Sequence, residues 1–117
     1  MNEPEYIIIT GCKHFKQFHC VYQYIGSLKR NVIVICDFNI SIGRAAQYAA
    51  RQKGLIIDGL GYHHNYHMFD YHLSALQIAE DYHAKLIVFW CGEDRYIQGT
   101  LEMAYRFGID VIEYVVR

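Results

Sequence analysis

Three short polar clusters each follow a run of β-branched and apolar residues. Gly11-Cys12-Lys13-His14 follows IIIT, Asp37-Phe38-Asn39 follows VIVIC, and Trp90-Cys91-Gly92-Glu93-Asp94-Arg95 follows LIVF and runs on to Gln98-Gly99-Thr100. Their residue types suit a phosphorylated, sugar-bearing ligand. Lys13 could meet a phosphate as a point charge, and His14 could hydrogen-bond one. Asp37 is the kind of residue that accepts ribose hydroxyls at the end of a second strand, and Phe38 offers an aromatic face to a base. Arg95 carries a planar fork that matches phosphate; Glu93 and Asp94 could orient it or receive ligand hydroxyls. Gly99 would allow close backbone approach. Thr100 is expected to cap the following helix, whose free N–H groups would favour an anion.

Each cluster also has a plain structural reading. Lys13 could be a solvated turn residue, Asn39 or Ser41 could cap the next helix, and Gly99-Thr100 could be an ordinary turn. Trp90 reads as a strand-end packing residue, with ring stacking on a ligand as the alternative. Arg44 and Arg51 fall on a helix pattern, where arginines mostly face solvent. Cys12 as a nucleophile needs a base and a lowered pKa, and nothing near it in the chain supplies both. No catalytic residue is assigned.

A fourth cluster, Tyr62 to His72, contains His63, His64, His67 and His72. If it were helical, His63 and His67 could meet one metal, with Asp70 or His72 as a third ligand. The segment reads instead as a loop, a His/Tyr-lined lid or a subunit contact. No metal and no cofactor is expected.

The elements between these clusters are well marked. EYIIIT, NVIVIC, LIID, KLIVFW and DVIEYVV read as five strands, the last alternating as an edge strand does. Helical spacing runs from Phe15 to Leu28 on Phe15, Phe18, Val21, Tyr22, Ile25 and Leu28. SIGRAAQYAARQKG reads as a helix with a glycine C-cap at Gly54. A third helix is expected over Tyr71–Tyr82, with Leu73, Leu76, Ile78 and Ala79 inward, and a fourth over TLEMAYRFG. Strands alternating with helices predict one doubly wound, Rossmann-like α/β domain spanning residues 1–117, in strand order 3-2-1-4-5. The loops after strands 1, 2 and 4 would then meet at the topological switch point, where such sheets bind ligands.

Composition agrees with one globular domain. The chain has 117 residues, 53% of them hydrophobic, and a net charge of −1, so no basic field draws it to nucleic acid or a membrane surface. None of its four cysteines forms a CxxC pair, which argues against a zinc knuckle or a thioredoxin-type motif. Free thiols and a cytoplasmic protein are expected. The N-terminal apolar run is too short for a signal or membrane segment.

Taken in order, three pieces of the chain resemble the SLOG superfamily, in particular its small YspA-like branch, which is related to the Lonely Guy enzymes. IIITGCKHF is similar to the opening ITGSRxF. VIVICDFNISIGRAAQYAARQKG stands where that branch has a strand, a GGARGAD-type loop and an Ala-rich helix. LIVFWCGEDRYIQGTLEMAYRFGIDVIEYV is similar to aFWDGxSxGTxxxixxAxxxGxxVxV. The resemblance implies a Rossmann-like sheet that binds nucleotides or nucleotide-derived ligands, commonly as a dimer or tetramer. There are departures. Asp37 and Phe38 replace paired glycines, and Gly43 replaces an acidic residue. Met103 stands where the hydrolase pattern GGxGTxxE has its glutamate; Glu102 lies about 100° away around a helix.

The expected function is therefore binding of a nucleotide or nucleotide-derived signal, such as a cyclic nucleotide or an ADP-ribose-type ligand, as a sensor or a sequestering protein. Phage or defence contexts would suit it. The ligand contacts expected are Gly11, Cys12, Lys13, His14, Asp37, Phe38, Asn39, Trp90, Gly92, Arg95, Gln98, Gly99 and Thr100. The alternatives are a hydrolase of an N-glycosidic or phosphate bond, or a structural homo-oligomer with a vestigial pocket.

Overall fold

The computed structural model of the chain describes residues 3–59 and 71–116. The order of elements is β1 (Glu5–Gly11), α1 (Phe18–Gly26), β2 (Val32–Cys36), α2 (Ser41–Lys53), β3 (Ile56–Gly59), α3 (Tyr71–Tyr82), β4 (Lys85–Trp90), α4 (Arg95–Arg106) and β5 (Val111–Val115). The five strands form one sheet in the order β3-β2-β1-β4-β5, and every neighbouring pair is parallel. This is the doubly wound architecture that the alternation of elements predicts.

Central strands buried on both faces need continuous apolar runs rather than alternation. Ile7, Ile8 and Ile9 of β1, and Leu86 to Phe89 of β4, are accordingly all buried. β5 lies at one edge and is only half-buried or exposed along its length, as its alternating sequence predicts. In the core, Phe89 stacks on Tyr114 at a centroid distance of 4.9 Å and is flanked by Phe15 and Tyr24. Burial pushes the Tyr24 phenol up to about 12, with Tyr114, Glu5 and Asp110 adding to the shift.

Several boundaries differ from the sequence reading. α1 begins at Phe18 rather than Phe15, because residues after Cys12 form a turn in which the Phe15 N–H donates to the Cys12 carbonyl. Phe15 still joins the core. Tyr22 is exposed and meets the exposed Tyr48 of α2 edge-on at 5.9 Å. In α3, Leu76, Ile78 and Ala79 are buried as expected. Neither Asn39 nor Ser41 caps α2; its N-cap is Ile40, with no side-chain hydrogen bond. Gly54 ends that helix in the left-handed region, φ 78°, where glycine carries no steric penalty. The largest difference concerns α4, which begins at Arg95, so that Gly99-Thr100 lies inside the helix.

All four cysteines are free thiols. No helix among the described residues is long and apolar enough to cross a membrane. His63, His64, His67 and Asp70 lie outside the described residues, as does the side chain of His72. Among the described residues no group of His, Cys, Asp and Glu is placed to hold a metal.

Candidate functional site

A parallel doubly wound sheet opens a crevice where consecutive crossovers leave in opposite directions. Here that point lies between β1 and β4. A cavity of about 560 Å³ sits there, lined by Thr10, Gly11, Cys12, Lys13, His14, Asp37, Asn39, Ile40, Asp94, Tyr96 and Ile97. Of the residues expected to touch a ligand, Gly11, Cys12, Lys13, His14, Asp37 and Asn39 therefore share one cavity.

Backbone contacts build its floor. Gly11 is in register with Phe89, and the Cys12 N–H donates to the Phe89 carbonyl at 3.2 Å. A Cβ on Gly11 would lie 2.0 Å from that same oxygen and 2.6 Å from Ile42 Cδ1. Glycine is thus what lets β1, β4 and α2 converge. Gly43 is tighter still, since its Cβ would lie 1.7 Å from the Asp37 carbonyl oxygen. That contact folds the β2–α2 turn back onto the first turn of α2. The same closeness leaves no room for any side chain at position 43.

The turn holds Asp37 in the cavity wall. Asp37 is 6% exposed, and its Oδ1 accepts the Asn39 N–H at 2.9 Å. Its other carboxylate oxygen has no hydrogen-bond partner among the described residues. Beside it in the wall, Thr10 is 7% exposed, and its hydroxyl likewise has no partner among them. Cys36, just before Asp37, has its thiol pushed up to about 12 by burial and then by the neighbouring carboxylate, so it is no nucleophile at neutral pH. Arg44 leans over the outside of the turn. Its guanidinium donates to the Phe38 and Asn39 carbonyls at 3.5 and 3.4 Å and to Ser41 Oγ at 3.3 Å.

The opposite wall is the start of α4, and here the sequence reading needs correction. Asp94 is the N-cap, and its Oδ1 accepts the Tyr96 and Ile97 N–H groups at 2.9 and 3.1 Å. The protein's own carboxylate thus occupies the donors that an external anion would use. Thr100 is no cap; it lies in the second turn, and its hydroxyl donates to the Tyr96 carbonyl at 3.0 Å. Gly99 approaches nothing closely, since a Cβ there would have open space within 4 Å. Arg95, Gln98, Gly99 and Thr100 do not line the cavity, because the helix starts one and a half turns earlier than expected and carries them past it, and Gly92, in the turn before the helix, does not line it either. Trp90 also lies elsewhere: its indole N–H donates to Glu113 Oε1 of β5 at 3.1 Å, the packing role that its strand-end position suggests. Phe38 is half-buried against the core and does not line the cavity.

Asp94, one of the two carboxylates that could receive ligand hydroxyls, lines the cavity, and so do Thr10, Ile40, Tyr96 and Ile97, which the motifs do not single out. The signal for Thr10 was present, as a polar residue closing an otherwise apolar strand. The signal for Asp94 was an N-cap type ahead of Ile97, Leu101 and Ala104, a helical spacing.

Comparison of the chain with family models, with curated proteins and with solved structures gives no match.

Proposed function

We propose that the switch-point cavity binds a small nucleotide-like ligand, and that the protein acts as a sensor or sequestering protein for it. The observation that carries this reading is the buried Asp37 carboxylate at the end of β2, which shares the cavity with the buried Thr10 hydroxyl; among the described residues one Asp37 oxygen and that hydroxyl have no hydrogen-bond partner. In doubly wound sheets an acid at that position receives the ribose hydroxyls of a nucleotide. The cavity volume, about 560 Å³, lies within the range for small-molecule sites. The motif resemblance to the SLOG superfamily supports the same reading and adds a dimer or tetramer as the expected assembly.

A hydrolase is the second reading. It is favoured by one observation, that two carboxylates, Asp37 and Asp94, line a single cavity and could divide acid and base roles. Against it, Asp94 is engaged in capping, and the position of the hydrolase glutamate is Met103.

A thermal-shift screen of nucleosides, nucleotides, cyclic nucleotides and ADP-ribose, followed by chromatography of the recovered compound, separates these readings. A raised midpoint with the compound intact supports binding, since a ligand stabilises the native state by mass action. Release of base or phosphate supports the hydrolase. No shift with any compound refutes both and leaves an assembly protein with a vestigial pocket. Light scattering on the eluted protein tests the expected oligomer.

A further inference from the structure

Resting on the nucleotide-like reading above, we infer that the cavity receives the uncharged, hydroxyl-bearing nucleoside part of its ligand and has no phosphate subsite at α4. Three observations lead there. First, the N–H groups of Tyr96 and Ile97 are already taken by the Asp94 carboxylate. An anion arriving at that helix start would find its donors occupied and would meet a like charge. Second, among the described residues the cavity wall carries two carboxylates, Asp37 and Asp94, against one lysine and one histidine. Lys13 and His14 are both exposed, so solvent weakens their pull, while Asp37 is buried and repels a phosphate at short range. Third, the groups in the cavity wall that have no partner among the described residues are of the kind that hydroxyls satisfy. The free Asp37 oxygen accepts from a hydroxyl, and the buried Thr10 hydroxyl can donate to one or accept from it. A diol matches both groups at once, donating to the Asp37 oxygen and donating to or accepting from the Thr10 hydroxyl.

The experiment is calorimetric titration of the intact protein with adenosine, guanosine, cytidine and uridine, each beside its 5′-monophosphate at fixed ionic strength. For the nucleoside that binds best, the monophosphate is expected to bind more weakly, by about 3-fold or more. Two variants then move that ratio. Asp94→Gly removes the carboxylate and frees the two N–H groups, and is expected to shift preference toward the monophosphate by about 10-fold, the size of one charge-assisted hydrogen bond. Asp94→Asn keeps a cap but drops the charge, and is expected to shift it about 3-fold. Because Asn caps as well as Asp, this variant decides the matter if Asp94→Gly does not fold. A monophosphate that binds tighter than its nucleoside in the wild type, or a ratio that neither variant moves, overturns this inference and leaves the binding reading standing. Failure of every nucleoside and nucleotide to bind overturns both.

Discussion

The starts of α2 and α4 face each other across one cavity, yet they are built in opposite ways. α4 is finished locally: Asp94 caps it within its own first turn, and a Cβ on the glycine one turn in, Gly99, would meet no neighbouring element within 4 Å among the described residues. α2 is finished by its surroundings. It has no side-chain cap, and its glycine, Gly43, is pressed against the Asp37 backbone. A helix start that satisfies its own donors is a wall. A start held by backbone packing leaves the adjacent polar groups, Asp37 above all, free for something else. The comparison also reverses the weight given to the glycines. Gly99 drew notice because Gly-Thr resembles a phosphate loop, while the glycines that shape the site are Gly11 and Gly43.

The contrast is broken most directly at Gly43. Gly43→Ala places a methyl 1.7 Å from a backbone oxygen that no rotamer change can move. The turn must shift, and we expect a loss of about 3 kcal/mol or more, at the upper end of overpacking costs. Gly11→Ala should cost a similar amount, with Phe89 O at 2.0 Å. Urea unfolding monitored by circular dichroism measures both. Either variant with a wild-type midpoint would mean that the turn does not sit on α2 as described.

At α4 the expected effects are smaller and depend on the side chain. Asp94→Ala should cost about 1 kcal/mol in the same unfolding experiment, the usual value of an N-cap, and Asp94→Asn only a few tenths. Equal losses in the two variants would show that charge, rather than the capping hydrogen bonds, is what matters there.

Gly99→Ala has the opposite sign. Glycine inside a helix is worse than alanine by about 0.5–1 kcal/mol, and the added methyl meets open space. The variant should therefore be more stable than wild type and bind the same ligands. A stable Gly99→Ala protein that has lost binding would restore the phosphate-loop reading of Gly99-Thr100.

These two regions also mark how far the sequence could be read. Strand order and the place of the cavity followed from alternation and apolar runs, because burying a parallel sheet on both faces leaves few arrangements. Asp37 was legible because strand ends at a switch point are few. The start of α4 differs from the sequence expectation because Gly99 has the type of a helix boundary, although Ile97, Leu101 and Ala104 keep helical spacing through it. Asp94 is an N-cap residue type ahead of that spacing, but the same carboxylate reads equally as a partner for Arg95 or as a receiver of ligand hydroxyls. Gly43 and Thr10 were harder to read. What matters about Gly43 is a contact between backbone atoms six residues apart, and what matters about Thr10 is the lack of a partner; neither leaves a pattern in the chain.

The far ends of the two helices are both tied down by side chains. At the end of α2 the Gly54 N–H donates to the Ala50 and Arg51 carbonyls, and the Lys53 ammonium reaches across to the Gly26 carbonyl at the end of α1. α4 adds a side-chain tie to the edge strand, in which the Tyr105 hydroxyl donates to Glu113 Oε2 at 2.6 Å. That hydrogen bond, with lesser help from burial and the carboxylate's charge, raises the Tyr105 phenol from 10 to about 12. A tyrosine whose folded value is raised is stabilised in its protonated form. Its contribution is complete below pH 10 and is lost as pH rises from 10 toward 12. Tyr105 is 54% exposed, so solvent screening limits the gain to about 0.5 kcal/mol. Tyr105→Phe should lower stability by that amount at pH 8 and converge on the wild type near pH 12, where both have lost the bond. Because Trp90 shares Glu113 from the other side, a loss well above 1 kcal/mol would mean that the two bonds act as one network tying α4 and β4 to the edge strand. A gap that stays constant with pH would remove the hydrogen bond from the account and leave only packing.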